Sequence, residues 1–260
     1  MIRYLADFIR YRELIELLTA REIKARYKQS ALGILWALFQ PAIMLILFSA
    51  IFTKIVRMPT GDTPYPVFLL SGLIPWLFFS NALNAAIPSL VSNADLIKKI
   101  YFPRVIFPLA SIMAAAFDFL IACSLLVVLL IYFKIKLTFW LLLLPLFIFL
   151  EFMLIVSIAL LLSALNVFYR DVKNALANLI QIAMFATPVI YPLSVIRPNL
   201  QKLLLLNPMT GIVECFRNVL VMGTAPNWNF FFISAILTIA LFTTAHHLFK
   251  KLEPNFADSI

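Results

Sequence analysis

Long apolar runs broken by short polar segments dominate the chain. No charged residue falls between Lys28 and Lys54, and the run over 32–55 predicts a helix that crosses a lipid bilayer. A bilayer core about 30 Å thick needs roughly 20 apolar residues at about 1.5 Å of helical rise each. Residues 67–91, 105–133, 138–165, 174–190 and 230–249 meet or approach that length, so six spans are predicted. Pro41 falls within the first span, and Pro75 and Pro88 within the second, as kinks that membrane helices tolerate. The fold class that follows is an all-α integral membrane protein with six transmembrane helices.

Three segments depart from this pattern. In 2–18, Leu5, Phe8, Ile9, Ile15 and Leu18 recur at helical spacing, with Arg12 as the one break, while Asp7, Arg10, Glu13 and Glu16 fall mostly elsewhere. This predicts an amphipathic helix lying on the membrane surface. Residues 92–104 are polar: Ser92 and Asp95 have the spacing of a capping box, and Pro103 stops the helix. A short polar helix between spans two and three is predicted there. Residues 191–228 are punctuated by Pro192, Pro198, Pro208, Gly211, Gly223 and Pro226, and their apolar pieces are too short to cross. Short re-entrant helices that dip in and return fit that segment better.

Composition agrees: 63% of residues are hydrophobic and 13% charged, against about half and about a quarter in soluble domains. A net charge of +9 would suggest nucleic acid in a soluble protein. Here the Lys and Arg residues concentrate in alternate loops. One set of loops holds fourteen of the 21, including Arg21, Lys24, Lys98, Lys99, Arg170 and Lys250, and the other holds seven, Arg217 among them. The positive-inside rule therefore puts both termini and 92–104 in the cytoplasm and leaves no role for nucleic acid. Trp36, Trp76, Trp140 and Trp228 fall near predicted span ends, where interfacial rings sit.

Few residues offer chemistry. Asp118 and Glu151 lie near the middle of predicted spans, where a charge costs about 2.5–3.5 kcal/mol on insertion scales. They read either as an ion or proton relay or as carboxyls that join neighbouring helices; with no Lys or Arg expected at their depth, the joining role is preferred. His246 and His247 are adjacent and point to different helix faces, so they make no metal pair. Cys123 and Cys215 lack metal-ligand spacing and serve as small apolar filler. Asn81, Asn84, Asn174, Asn178 and Gln181 could join helices or line a pore. No phosphate-cradling GxxxxGK[ST] loop is present, so no ATP site, cofactor or metal is expected on this chain.

Several ordered motifs resemble type-2 ABC transporter permeases. They are the run from Leu18 to Ser30 followed by Leu32-Gly33, Trp36 and Gln40-Pro41; Leu96 to Arg104; Asn166 to Asp171; Pro188 to Pro192; and Asn207 to Thr210. The pattern is most similar to the membrane subunits that export O-antigen on lipid carriers, with capsule and wall teichoic acid exporters sharing much of it. The resemblance implies a homodimer joined to two separate ATPase subunits that carry ATP and Mg, in a bacterial plasma membrane. It implies an interface or gate helix with Arg21, Lys24, Arg26 and Tyr27, and ATPase coupling through Asp95, Leu96, Lys98, Lys99, Tyr101 and Arg104. Trp36, Phe39, Gln40, Asn81 and Asn84 become candidate channel-lining residues. The expected organisation is an interface region over 1–30, a transmembrane domain over 31–250 and a cytoplasmic tail over 251–260. Two competing readings remain open: an ion-gradient-driven transporter using Asp118 and Glu151, and a membrane enzyme using His246 and His247.

Overall fold

The computed structural model describes residues 11–28, 30–61, 63–99 and 102–259. The N-terminal part of the amphipathic segment and Tyr101 lie outside the described residues. The fold is all-helical: α1 (Arg12–Tyr27), α2 (Trp36–Ser49), α3 (Tyr65–Ala86), α4 (Ser89–Ser92), α5 (Ala94–Lys99), α6 (Ile106–Tyr132), α7 (Leu144–Phe168), α8 (Val172–Phe185), α9 (Pro198–Leu204), α10 (Pro208–Arg217), α11 (Trp228–Leu252) and α12 (Phe256–Ser259). Five stretches are long and apolar enough to cross a membrane: Gly33–Ile55, Tyr65–Ala86, Ile106–Tyr132, Phe139–Phe168 and Trp228–Asn255. They match five of the six predicted spans within a few residues.

The helix at the fifth predicted span is shorter than expected. It stops at Phe185 after 14 residues, about 21 Å at 1.5 Å per residue, and Thr187–Ile190 continue as buried chain. Beyond it, Pro198–Leu204 and Pro208–Met222 are bent by 107° at their break, as the re-entrant reading expects.

Contacts between distant segments show how the chain threads the bundle. Arg21 donates to Asn93 Oδ1 at 2.5 Å, Arg104 N–H donates to Glu253 Oε1 at 2.9 Å, and the rings of Phe168 and Phe256 lie 6.1 Å apart. So α1, the 93–104 segment, the end of α7 and the chain's tail share one end of the bundle. At the other end, the Tyr65 hydroxyl donates to Ile190 O at 2.9 Å, and Arg217 reaches Phe68. The chain therefore passes once, net, from near end to far end between Phe168 and Trp228. α8 makes that passage, and α9 and α10 return to the side they leave.

α3 forms the core of the bundle and is buried on nearly all sides by α2, α6, α7 and α10. α1 does not lie free on a surface: Ile15 and Leu18 are buried as the periodicity predicts, and the helix runs alongside the first half of α6. Thr19 donates to Ala110 O, and Ser111 donates to Glu22 at 2.7 Å. α10 begins with Asn207 as its cap, accepting from Met209 N–H at 3.0 Å, and with Pro208 in its first turn. Of the four tryptophans, Trp76 is the exception to interfacial placement: it is 3% exposed and stands mid-helix in α3 against Phe79. The predicted capping box is displaced as well. Ser92 closes α4, and the break falls at Asn93, whose amide donates to Ser89 O at 2.8 Å.

Candidate functional site

A cavity of about 450 Å³ opens where α1, α2, α3 and α6 meet. Its lining brings together residues from three groups that the sequence leaves separate: Arg26 and Tyr27 of α1, Trp36 and Gln40 of α2, Asn81 of α3 and Asp118 of α6. Arg26 Nη1 lies 2.7 Å from Asp118 Oδ2, and the Tyr27 hydroxyl donates to Asp118 Oδ1. Both partners of the ion pair are partly shielded, at 29% and 17% exposure, so the charge–charge attraction is less damped than on an open surface. The expectation of no cation at the depth of Asp118 is thus corrected, because α1 runs deep along α6 and carries Arg26 to it. Asp118 bonds two side chains of the neighbouring helix α1. Burial, and then the neighbouring carboxylate, push the Tyr27 phenol above its usual range, so it remains a donor.

Asn81 donates to Gln40 Oε1 at 3.4 Å, which holds the two amides side by side on the wall. Trp36 is half exposed at the mouth and meets Phe39 edge-on, with ring centroids 5.1 Å apart. Phe39 and Asn84 are exposed but lie outside the cavity. A second concavity of about 590 Å³ runs beside α1 and is lined by Arg21, Lys24 and Lys28. Glu151 is fully buried in α7, and among the described residues neither carboxyl oxygen has a hydrogen-bond partner. It therefore joins no helices by hydrogen bonding, and it does not share the cavity of Asp118. On α8, Asn174, Asn178 and Gln181 form one exposed face at helical spacing.

The expected coupling residues divide. Asp95, Lys98 and Lys99 project from α5 into the open, Leu96 is half-buried, and Ile97 anchors the helix in the core. Tyr101 lies outside the described residues. Arg104 differs from the others: its backbone N–H and its guanidinium are both engaged by Glu253.

Sequence reasoning missed one polar centre. Arg217, counted as a loop cation, is fully buried. Its guanidinium donates to Pro188 O and Val189 O at 2.5 Å each, and to Glu214 at 3.0 Å. It also lies 3.8 Å from the Phe68 ring centroid. Gly72 makes the room, since a Cβ there would fall 2.6 Å from Arg217 Nη2. The signal was present as an acid and a base three residues apart, Glu214 and Arg217, in an otherwise apolar helix.

A family model described as ABC-2 type transporter matches residues 13–221. The O-antigen export system permease protein RfbA of Myxococcus xanthus is 29% identical, with 100% of both chains aligned. A protein of the same name from Klebsiella pneumoniae is 28% identical over 95% of this chain and 94% of its own. The polysialic acid transport protein KpsM of Escherichia coli is 27% identical over 80% of this chain and 81% of its own.

Proposed function

The chain belongs to the ABC-2 type transporter family, and on that premise we propose that it is the membrane subunit of an ATP-driven polysaccharide exporter. Two copies form the path, and two separate ATP-binding subunits supply ATP and Mg. The cargo is a lipid-linked polysaccharide moved from the cytoplasm across a bacterial plasma membrane. O-antigen is the first choice because relatives aligned over the full chain are named for it; capsule and teichoic acid polymers belong to the same chemical class. Both chain ends and α5 lie in the cytoplasm on this reading, as the excess of Lys and Arg around them favours.

The observation that carries the reading is the cavity between α1, α2, α3 and α6. Its lining pairs an aromatic face, Trp36, with amide donors and acceptors from Gln40 and Asn81. Sugar rings offer C–H faces that stack on indole and hydroxyls that bond amides, and a site with a few placed polar groups in an apolar wall suits such a ligand. The exposed amide face of α8 gives a second polar surface suited to the path. The ion-gradient alternative loses support, because Asp118 is tied to Arg26 and Tyr27 and shares no site with Glu151.

The test is glycan export into inverted membrane vesicles that contain this chain and its neighbouring ATPase subunit. Vanadate-sensitive, ATP-dependent export is expected. Trp36→Ala should lower it by about tenfold, the order of losing a few buried contacts, at unchanged protein level. Export driven by an ion gradient without ATP sinks the proposal, and unchanged export in Trp36→Ala removes the cavity from the path.

A further inference from the structure

The segment after the last span is built into the bundle. α11 ends at Leu252, and Glu253 caps it. Arg104 lies two residues before α6, next to its N-cap Val105 and close to the helix start, where backbone N–H groups lack helical partners. The two residues serve each other's helix ends. The Glu253 carboxylate accepts from Arg104 N–H at 2.9 Å, and the Arg104 guanidinium donates to the Glu253 carbonyl. A carboxylate at a helix start and a guanidinium at a helix end are each the favoured sign for the helix dipole. Phe256 locks this joint. It is fully buried, packs edge-on against Phe249 at 5.3 Å and against Phe168 of α7 at 6.1 Å, and lies 5.8 Å from the Arg104 guanidinium. The short helix α12 touches both α5 and α7. Chain termini are ordinarily loose unless something ties them down; this one is tied at three points to the segment that carries α5.

We propose that Glu253 and Phe256 are positioning residues that brace the 93–105 segment against α11 and α7, so that a push received at α5 moves the third, fourth and last spans as one body. The inference rests on the ATP-driven reading above and deepens it. Without the brace, the segment loses its ties to α11 and α7 and keeps its anchoring by Ile97 and Arg21, so a partner's motion reaches the fourth and last spans less directly.

The experiment uses the complete complex in inverted vesicles and reads ATPase co-purification, ATP hydrolysis, export, and trypsin cleavage after Lys251. In Glu253→Ala and Phe256→Ala the ATPase subunit should stay bound and hydrolysis continue within about twofold. Export should fall about tenfold, the scale of a lost coupling of one to two kcal/mol. Trypsin should cut faster, because cleavage follows the population of the undocked tail. Glu253→Gln keeps an oxygen acceptor for the Arg104 N–H and should export near the wild-type rate; Phe256→Leu keeps the apolar volume and should fall between wild type and Phe256→Ala, which preserves the test where the alanine variants accumulate poorly. Wild-type export in both alanine variants overturns the brace, as does unchanged trypsin cleavage. Loss of the ATPase subunit together with export also overturns it, because the tail would then be a docking surface. Export by the wild-type complex without ATP refutes the ATP-driven reading instead, and the trypsin comparison still decides whether Glu253 and Phe256 hold the tail.

Discussion

A guanidinium taken out of water must find acceptors for most of its five N–H groups. Arg217 finds three backbone carbonyls, one carboxylate and an aromatic face, and so fastens the Pro188–Ile190 turn to α3 and α10. Arg217→Met strands those carbonyls and leaves Glu214 without its cation. At about 1–3 kcal/mol for each unsatisfied buried group, the variant should lose most of its thermal stability in detergent, and Arg217→Lys should be intermediate, since one ammonium cannot span the same fork. An unchanged unfolding midpoint in Arg217→Met would contradict the clamp. The Arg26–Asp118 pair is less buried, so Asp118→Ala should cost about 1–3 kcal/mol, between the exposed and buried limits. Asp118→Asn still accepts from Tyr27 and should cost less. Exchanging the charges, Arg26→Asp with Asp118→Arg, should recover part of the loss in a double-mutant cycle read by unfolding and export; no recovery would mean that the two side chains do not act as a pair. Glu151→Gln should leave export unchanged, because among the described residues its oxygens bond to nothing.

At the scale of elements, spans were legible wherever an uninterrupted apolar run matched the bilayer thickness, as at 105–133 and 138–165. The re-entrant pair was legible from Pro198 and Pro208, which start both of its helices. The shortness of α8 was legible in Pro188, which has no backbone N–H to donate and disfavours helix at Thr187; what the sequence hid is that the Arg217 guanidinium then holds the Pro188 and Val189 carbonyls. The depth of α1 was hidden for a similar reason: its charged face suggests a surface, and only the fold reveals that Glu22 and Arg26 have partners on α6. In the candidate site, residue types were readable while their meeting was not, since Arg26, Gln40, Asn81 and Asp118 come from four helices. The junction of α10 with α11 is also a matter of fit. A Cβ on Gly211 would fall 2.1 Å from Ser234 Oγ and 2.6 Å from Phe230 O. The hydroxyl can turn away and the carbonyl cannot. Gly211→Ala should therefore destabilise by about 1–3 kcal/mol, as overpacking does, and adding Ser234→Ala should restore only part of it. Full restoration in the double variant, measured by thermal unfolding, would show that the backbone approach does not limit the packing.

For the whole molecule, side-chain contacts give the threading and loop charges then give the orientation. Arg21 with Asn93, Arg104 with Glu253 and Phe168 with Phe256 gather α1, the α5 segment and the tail at one end of the bundle, and Tyr65 with Ile190 puts the end of α8 at the other. The excess of Lys and Arg around the first end favours the cytoplasm for it. A re-entrant pair that begins and ends on the far side then leaves Asn199 beside Gly61 and Lys136 in topology, and Lys28, Lys99 and Lys173 opposite. Single cysteines at those six positions, in a Cys123→Ala, Cys215→Ala background, should divide accordingly when intact cells are treated with a membrane-impermeant maleimide. Gly61→Cys, Lys136→Cys and Asn199→Cys should react from outside, and the other three only after the membrane is opened. The decisive pair is Lys173→Cys and Asn199→Cys, because they flank α8: labelling of both from the same side would mean that α8 does not cross, and the contact of Tyr65 with Ile190 could not then be native. Labelling of Lys99→Cys from outside would instead keep the threading and invert the molecule, which would remove α5 from reach of any cytoplasmic ATPase.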